Sequence, residues 1–340
     1  MAISNRYEFM YFVECVNGNP NGDPDAGNQP RIDPQDMHGL ITDVAVKRRI
    51  RNYVQAAYGD REKMNIVVQQ ATNINKFIAE ANEKCGSKAK SGSREKVKAA
   101  RVWMCQNYYD VRTFGAVLST GENAGQVRGP VQLTFLRSYD PVLPLELSIT
   151  RMSVADSPKG VTTFEQYAKW EAEQPEDKLR TMGRKQYIPY GLYEGRGFIS
   201  ANLSDAENNG TGFDDNDLNI LWESILNMYE HDRSASKGQM STIAPLIIFR
   251  HSGTDSDMEQ RKRQAKLGCA PAHKLFNLVE VKKTTKEVIP RMISDYQLLI
   301  HFSKRPKGVD IGLASIKDGK VNISWNEIPS DFEEAWVVTD

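Results

Sequence analysis

The chain has 340 residues, 40% of them hydrophobic and 26% charged, and its 44 basic and 44 acidic residues leave no formal net charge. This size and composition predict a globular protein with a sizeable core, and the neutral balance argues against a generic nucleic-acid binder. No apolar stretch approaches the length of a membrane span, and the N-terminal residues lack the pattern of a secretory signal. We therefore expect a cytoplasmic protein without a membrane partner.

The cysteines and histidines indicate neither a disulfide framework nor a metal site. The four cysteines are far apart with no CxxC spacing, and the five histidines are scattered without an HExxH motif. Reduced thiols are typical of this pattern in a cytoplasmic protein. We expect no cofactor and no bound metal.

The first predicted element is a strand that leads into a long polar loop. The odd-numbered positions of YEFMYFVECV, residues 7–16, are apolar, whereas Glu8 and Glu14 lie on the other face. This alternation predicts a strand with one apolar face. The loop NGNPNGDPDAGNQPRID, residues 17–33, follows directly.

The next element is a basic helix. The segment GLITDVAVKRRIRNYVQAAY ends at residue 58, and Thr42 or Asp43 can serve as its N-cap. Apolar residues recur at helical spacing and predict the buried stripe of this helix, namely Val46, Ile50, Tyr53 and Ala57.

The rest of the chain alternates between helical and strand patterns. Residues 59–107 are mostly helical in pattern, with a break at KCGSKAKSGSREK that predicts an exposed, mobile loop. GPVQLTFLRS and LELSITRMSV predict strands, and residues 155–186, which lack strand patterning, are interpreted as an insertion. YIPYGLYEGRGFISANL predicts a strand, DDNDLNILWESILNMYEHD a helix, and four later segments further strands. This order indicates an α+β fold compatible with a ferredoxin-like core that carries large insertions.

The long polar loop could be a calcium site. The residues that match ligand and turn positions of an EF-hand loop are Asn17, Asn19, Asn21 and Gly22. Asn28, however, stands where a bidentate Glu is required, and a strand instead of a helix precedes the loop. We therefore reject a calcium site.

The carboxylates in and near the loop could instead form a catalytic site. Those that could hold Mg²⁺ or act as a general base are Asp23, Asp25, Asp33 and Asp36. Their spacing fits no known motif, and Asp is common in turns because its side chain accepts hydrogen bonds from nearby backbone N–H groups. Turn formation is the favoured interpretation, and the alternative is a metal-dependent endoribonuclease that uses Asp23, Asp25 or Asp33.

The loop and the helix after it could also bind nucleic acid. Glycine N–H groups and Asn amides can bond phosphate and 2′-OH groups without reading sequence. Lys47 and Arg51 are four residues apart and so share one helix face, with Arg48 adjacent, and cations at a helix C-terminus would explain only some of these charges. The predicted RNA-binding residues of this region are Asn19, Asn21, Arg31, Thr42, Lys47, Arg48 and Arg51.

Two later clusters share these features. DVRTFGAVLSTGENAGQVRGPVQ places Arg112 on a helix and Gln126 and Arg128 in a Gly-rich turn, which matches no phosphate-binding motif. In TMGRKQYIPYG, Arg184 and Lys185 lie close to Met182, and an apolar side chain next to cations can part stacked bases. Taken singly, such clusters are more often structural.

Charge is distributed unevenly along the chain. Basic residues concentrate between positions 47 and 51 and again between 84 and 101, whereas the acidic residues near the chain end are Glu327, Asp331, Glu333, Glu334 and Asp340. Such segregation in a neutral protein is suited to head-to-tail assembly as well as to ligand binding. Each run alone is typical of a solvated face, and a scaffold protein without nucleic acid is a third, weaker hypothesis.

Several of these segments together resemble a known family. The loop at 17–33 with its helix, DVRTFGAVLSTGENAGQVRGPVQLTF, TMGRKQYIPYGLY and EHDRSASKGQM closely resemble the backbone subunit of type I-C CRISPR Cascade surveillance complexes. The resemblance covers most of the chain. It implies a modified RRM palm of the RAMP type over residues 1–340, with a helical finger insertion at 59–110 and a protruding thumb insertion at 153–186.

The resemblance also implies a function in antiviral defence. Copies of such a subunit polymerise along the spacer of the CRISPR RNA (crRNA) as a right-handed helical filament, and each thumb displaces one base at regular intervals. The exposed guide segments then pair with target DNA in an R-loop. The implied partners are crRNA, target DNA, neighbouring copies, the crRNA-processing, large and small Cascade subunits, and a recruited helicase-nuclease that destroys the target.

The resemblance assigns roles to individual residues. The residues that match the helix that grips guide phosphates are Thr42, Lys47, Arg48 and Arg51, and those at the end of the thumb are Met182, Arg184 and Lys185. Related type III subunits carry a catalytic Asp in the equivalent loop, but this resemblance is to the type I group. It therefore implies that the loop aspartates, Asp23, Asp25 and Asp33, are non-catalytic and that the protein is not an enzyme.

Overall fold

A computed structural model describes residues 1–85, 94–120, 122–285, 289–329, 332 and 336–339. Most of the Gly-, Ser- and Lys-rich break, predicted to be a mobile loop, lies outside the described residues. So do four of the five acidic positions near the chain end, namely Asp331, Glu333, Glu334 and Asp340. Within the described part of the chain, no helix is long and apolar enough to cross a membrane.

The described residues form helices and strands in mixed order, as expected for an α+β protein. The helices are α1 (Asp43–Tyr58), α2 (Asn75–Cys85), α3 (Arg94–Asn107), α4 (Tyr109–Phe114), α5 (Phe164–Ala172), α6 (Ala201–Ser204), α7 (Asp215–His231), α8 (Met258–Leu267) and α9 (Ala272–Phe276). The strands are β1 (Tyr7–Gly18), β2 (Gly22–Asp23), β3 (Gln29–Pro30), β4 (His38–Ile41), β5 (Gly115–Val117), β6 (Gln126–Arg128), β7 (Val131–Leu133), β8 (Leu136–Pro141), β9 (Leu145–Arg151), β10 (Thr181–Ile199), β11 (Gln239–His251), β12 (Val279–Lys283), β13 (Tyr296–Ile300), β14 (Val309–Lys317), β15 (Lys320–Trp325) and β16 (Val337–Thr339).

The predicted first strand, β1, is the centre of a nine-stranded sheet with the order β15-β14-β11-β1-β10-β8-β4, in which β7 and β9 also pair with β10. β1 is antiparallel to both of its neighbours. The positions of Glu8 and Glu14 predicted a polar second face for β1. That face is instead apolar at Met10 and Phe12, which are almost fully buried. The reason is that the sheet is covered on both sides, so both faces of the strand need apolar residues.

Helices α1 and α7 cover the first face of the sheet. The buried residues of α1 are Val46, Ile50 and Val54, which recur every four residues and form one stripe. The prediction that Tyr53 and Ala57 complete this stripe is wrong, because the Tyr53 hydroxyl leaves the core to donate to Glu223 at 2.8 Å and Ala57 is exposed. The buried stripe of α1 faces α7, which buries ten residues of its own.

The second face of the sheet packs against α9 and a three-stranded sheet with the order β12-β13-β16. Phe12 of β1 meets Trp336 edge to face, with 5.0 Å between ring centroids. A third, smaller core lies between α2, α3 and α4 and includes Ile78, Met104 and Val111. The helical pattern predicted for residues 59–107 is therefore present in α2 and α3, whereas residues 59–74 form turns.

One part of the chain extends away from these cores as a two-stranded ribbon. β9 pairs with the first residues of β10, from Leu145 opposite Tyr187 to Arg151 opposite Thr181. α5 lies between these strands, and this helix, which is wholly within the described residues, buries none of its side chains. The predicted insertion at 155–186 thus contains strand at its end, and the ribbon already begins at Leu145. We call residues 145–187 the extension.

Candidate nucleic-acid interface

The loop after β1 is a small, internally bonded hairpin. Strands β2 and β3 pair with each other, and the turn between them contains Gly27 and Asn28, both with left-handed backbone angles near 60°. The Asn19 amide donates to the carbonyl oxygen of Asn28 at 2.6 Å, and its side chain is buried. Asn19 therefore holds the hairpin closed, and its Nδ2 is already occupied within the loop.

The loop carboxylates form turns and ion pairs. Asp23 Oδ1 accepts from the N–H of Asp25 at 3.1 Å, and its Oδ2 accepts from Arg31 at 3.0 Å. The pKa of Asp33 is lowered by a hydrogen bond from the N–H of Gln35 and by bonds and charge from Arg137. The described residues contain no group of three or more His, Cys, Asp or Glu side chains placed to hold a metal ion. These contacts agree with the interpretation of Asp23 and Asp33 as turn formers.

Asn21 connects the loop to the basic helix. Its Oδ1 accepts from the N–H of Thr42 at 2.9 Å. Thr42 is the N-cap of α1, as predicted, and its Oγ1 accepts from the N–H of Ala45 at 3.3 Å. The side-chain and backbone contacts of these two residues fix where the helix begins relative to the loop.

Lys47 and Arg51 share one face of α1, as their spacing predicts. Both lie over the ring of Phe114, with Nζ of Lys47 at 5.7 Å and the guanidinium carbon of Arg51 at 5.3 Å from its centroid. Lys47 also pairs with Asp43, one turn earlier, at 2.8 Å, and its side chain remains 17% exposed. A pair at this spacing near the surface is weak, so Lys47 can exchange Asp43 for a phosphate at low cost.

Arg51 has a different environment. Its Nε donates at 2.8 Å to Asp110, which is 1% exposed and also accepts from the N–H groups of Val67 and Val68. Arg51 thus compensates a buried charge that holds α1, α4 and the segment before α2 together. Arg51 was predicted to bind RNA, and this prediction needs correction because Arg51 already pairs with the buried carboxylate of Asp110.

Arg48 is bound more loosely. One of its N–H groups donates to the carbonyl oxygen of Val68 at 3.0 Å. A carbonyl carries no formal charge, so this bond leaves the positive charge of Arg48 uncompensated. The neighbouring Arg49, which sequence analysis did not select, pairs with Asp232 and lies over the ring of Tyr229.

Arg112 lies in the core and not at a surface. Its Nε and Nη2 each donate to Asp217 at 2.7 Å, and the two side chains are 8% and 4% exposed. Burial alone would lower the pKa of Arg112, but the hydrogen bonds and charge of Asp217 outweigh burial and raise it. We therefore correct the prediction that Arg112 binds a ligand: it connects α4 to the start of α7.

Gln126 and Arg128 lie exposed on the same face of β6, while Val127 between them is buried. β6 pairs with β5 in a hairpin that starts where α4 ends. Gly129 permits this junction, since a Cβ atom there would come within 2.2 Å of the backbone of Phe114. The hairpin is thereby held beside Phe114, the ring that Lys47 and Arg51 contact.

The last three predicted residues lie apart from this surface, on the ribbon of the extension. Met182 is 74% exposed and Arg184 pairs with Glu146 at 3.1 Å with most of its side chain in solvent. Lys185 occupies the other face of the ribbon, opposite Leu147. The root of the ribbon, at Ile188, pairs with Gly18, where the polar loop begins.

Lys237 belongs to the loop region but was not selected from the sequence. Its Nζ donates to the carbonyl oxygen of Pro20 at 3.2 Å, and burial, followed by the charge of Arg49, lowers its pKa. The neighbouring Ser236 accepts from the N–H of Asn19 at 2.8 Å. Only its place in EHDRSASKGQM could have identified Lys237, because it is more than two hundred positions from the loop that it contacts.

Comparisons with known proteins give one broad and several limited matches. The family described as "CRISPR-associated protein Cas7" matches residues 5–301. A curated protein of the same description from Haloferax volcanii is 42% identical over 55 residues, which span 16% of this chain and 16% of that protein.

Two solved structures are also similar in part. A chain of a "CRISPR RNA-guided surveillance complex, pre-nicking" is 12% identical with a TM-score of 0.43, over 78% of this chain and 83% of that one. A chain of a "CRISPR RNA-guided surveillance complex" is 14% identical with a TM-score of 0.42, over 87% of this chain and 88% of that one.

Proposed function

Because the chain belongs to the Cas7 family of CRISPR-associated proteins, we propose that it is a non-catalytic crRNA-binding subunit. Copies of it would polymerise along the spacer and form the backbone of a type I-C Cascade complex in the cytoplasm. The observation that supports this function most directly is that polar and basic residues lie on three connected elements, namely the loop, the start of α1 and the β5–β6 hairpin. Phe114 contacts Lys47 of α1 and lies beside the hairpin, and we call these three elements the proposed surface.

The proposed contacts to guide phosphates come from the residues of this surface that are not tied to a buried carboxylate. These residues are Asn21, Arg31, Thr42, Lys47, Arg48, Gln126 and Arg128. Arg128 is exposed, and Lys47 and Arg48 are held only by a weak ion pair and by a neutral carbonyl. Contacts of this kind position a backbone without reading its sequence. Asn19, Arg51 and Arg112 are proposed to support the surface from behind.

The proposed domain organisation is a single palm over residues 1–340, with a finger at 59–110 and a thumb at 153–186. α2, α3 and their core support the finger. The extension supports the thumb, and its ribbon adds residues from Leu145 onward. Met182, Arg184 and Lys185 on that ribbon would displace one guide base in each repeat, since an exposed apolar side chain beside cations can part stacked bases.

The proposed partners follow from this role. They are crRNA, neighbouring copies, the crRNA-processing, large and small Cascade subunits, target DNA in the R-loop, and a recruited helicase-nuclease. Several exposed apolar side chains of the extension and of the segment before it would meet such protein partners, namely Leu143, Leu147, Ile149, Met152 and Phe164.

The proposed lack of nuclease activity is supported by the use of the loop carboxylates within the fold. Asp23 pairs with Arg31 and Asp33 with Arg137, so that neither carboxylate is free to bind a divalent cation without losing its partner. The endoribonuclease alternative uses Asp23, Asp25 or Asp33, and of these Asp25 is exposed and has no ion pair among the described residues.

The RNA that copurifies with the protein tests the proposal. We expect protein expressed with a CRISPR transcript to retain RNA of defined length, and limited nuclease digestion of the complex to leave regularly spaced fragments. Protein that stays monomeric and retains no RNA would contradict the proposal.

A second measurement tests the alternative. Complementary RNA is added to the complex with Mg²⁺, and we expect it to stay intact. Regularly spaced cuts that disappear in Asp23→Ala, Asp25→Ala or Asp33→Ala but persist in the control Asp60→Ala would establish the endoribonuclease instead.

A further inference from the structure

The tip of the extension carries an exposed acidic surface. The exposed carboxylates of α5 and the turn after it are Glu165, Glu171, Glu173, Glu176 and Asp177. Arg180 pairs with Glu176 at 2.6 Å, and the other basic residues nearby are Lys169 and Lys178. We call these five carboxylates the acidic tip, and its remaining charge is negative.

A basic surface lies on α8 and on the loop before β14. Its exposed cations are Arg261, Lys262, Arg263, Lys304 and Lys307, which we call the basic end. The loop reaches α8 because Gly308 accepts from the N–H of Ser252 at 2.8 Å and Arg261 donates to the carbonyl oxygen of Ser252 at 3.4 Å. A cavity of about 610 Å³ lies between them, lined by Gln264 and Lys307.

Most cations of the basic end have no carboxylate partner. Lys262 pairs with Glu259 at 3.0 Å. Asp257 accepts from the N–H of Glu259 and so caps α8. Among the described residues, no ion pair involves Arg263 or Lys307, so the positive charge of this surface is available to a partner.

The two surfaces lie at opposite ends of the central strand pair. The extension contains the first residues of β10, which precede Ile188. Ile188 itself pairs with Gly18 at the end of β1. α8 lies at the start of β1, where the carbonyl oxygens of Ala265 and Leu267 accept from Arg6. β1 has 12 residues, and at about 3.3 Å per residue it separates these ends by roughly 36 Å. The acidic tip of one copy therefore cannot meet the basic end of the same copy.

Each surface also has apolar side chains that would be buried on contact. On α5, Phe164 is 88% exposed, and Tyr167, one turn later, is also exposed. On α8, Met258 is 63% exposed and borders a cavity of about 230 Å³ lined by Arg261, Lys262 and Ala265. An aromatic ring that enters this cavity would lie among cations, which its face attracts.

From these observations we infer that the acidic tip of one copy docks on the basic end of the next. The contact is heterologous, because two different surfaces meet, and such contacts repeat into an open filament when the rotation does not close a ring. This inference rests on the proposed function and deepens it, since it names the two surfaces by which neighbouring copies meet.

Charge reversal on each surface, and on both together, tests the inference. Glu171→Lys with Glu173→Lys reverses the acidic tip, and Arg263→Glu with Lys307→Glu reverses the basic end. We expect each pair to raise the protein concentration needed to cover an RNA of fixed length by about tenfold or more, because like charges would face each other. The four substitutions together restore opposite charges, and we expect them to return assembly close to that of the unmodified chain. Native mass spectrometry counts the copies on each RNA.

The control is Lys320→Glu at the exposed first residue of β15, which we expect to leave assembly unchanged. Thermal unfolding of every variant checks that the fold is intact. Assembly that the fourfold variant fails to restore would overturn the inference while RNA retention still supports the proposed function.

Two other outcomes separate the inference from its alternatives. If Arg263→Glu with Lys307→Glu weakens RNA or DNA binding by a single copy and the acidic-tip variant has no effect, the basic end binds nucleic acid and the inference is wrong. If the unmodified chain retains no RNA, the proposed function fails. Sedimentation of the same variants without RNA then tests the docking contact alone. Self-association that neither charge reversal changes would overturn the inference.

Discussion

The basic residues of this protein separate into structural and available ones according to the burial of their partners. Arg51 and Arg112 bind carboxylates that are 1% and 4% exposed, so that each compensates a charge that water cannot reach. Lys47 and Arg184 bind carboxylates near the surface. All four are basic residues, and the sequence around them does not show which of them bind buried carboxylates.

We predict that Arg112→Ala destabilises the fold strongly. Its loss leaves Asp217 buried without a counter-charge, and breaking a buried ion pair costs about 3–5 kcal/mol. Chemical denaturation measures the change. Arg184→Ala, which removes an exposed pair, is the control and should change the free energy of unfolding by no more than about 1 kcal/mol. If Arg112→Ala is as stable as this control and binds RNA more weakly, Arg112 contacts RNA as the sequence predicted.

The thiols give a second prediction at the residue scale. Burial raises the pKa of Cys15 to about 12 and that of Cys105 to about 11. A thiol reacts as its thiolate, so near pH 8 we expect both to resist alkylation until the protein unfolds, whereas the half-buried Cys85 and Cys269 react sooner. Mass spectrometry after a short alkylation measures this order. Equal labelling of all four in the native protein would contradict it.

The helices differ in how many of their side chains are buried in the cores. α1 buries three residues and is tied to the loop through its N-cap. α5 buries none, and the extension joins the rest of the protein through two antiparallel strands. An element with so few buried contacts adds little to the stability of the fold, so its sequence is available for function.

We therefore predict that the extension can be removed without loss of the fold. Joining Leu145 to Tyr187, which face each other in the ribbon, through Asn-Gly replaces it by a two-residue hairpin turn. The melting temperature should fall by no more than about 3 °C, equivalent to about 1 kcal/mol in a domain of this size.

Nuclease digestion of the complex tests the role of the extension. We expect the shortened protein still to bind RNA but to lose the regular fragment pattern, because no side chain displaces bases. Unchanged periodicity would contradict the proposed thumb. Replacing only Lys159, an exposed residue of the extension, by Ala is the control, and the pattern should persist because the ribbon remains.

At the scale of the whole molecule, local charge matters more than net charge. The chain has zero formal net charge, yet cations such as Lys47 and Arg128 lie on the proposed interface. Binding of a polyanion releases counterions from the phosphates that are neutralised, and binding becomes salt-dependent even for a neutral protein. Net charge alone therefore does not exclude a nucleic-acid role.

We expect Lys47→Ala to weaken binding to every spacer by a similar factor. The slope of log affinity against log salt should also become less steep by about 1, as for the loss of one phosphate contact. Titration of two unrelated spacers at several salt concentrations measures both effects, with Lys320→Ala as control. A loss that differs between the spacers would show that Lys47 reads bases.

The sequence by itself determined the features that depend on neighbouring residues. The alternation in YEFMYFVECV predicts β1, the position of Thr42 predicts the start of α1, and the spacing of Lys47 and Arg51 places them on one face. These properties follow from local backbone geometry, which a short segment carries in full. The mixed order of helices and strands predicts the α+β class for the same reason.

Only the tertiary structure decided which charges are available and which faces are buried. Asp110 is 59 positions from Arg51 and Asp217 is 105 positions from Arg112, so no local pattern reports that these pairs form. The second buried face of β1 likewise depends on α9 and Trp336, far along the chain. A residue's spacing is fixed by its own segment, but its burial and its partner are fixed by whatever packs against it, and only the folded chain supplies that.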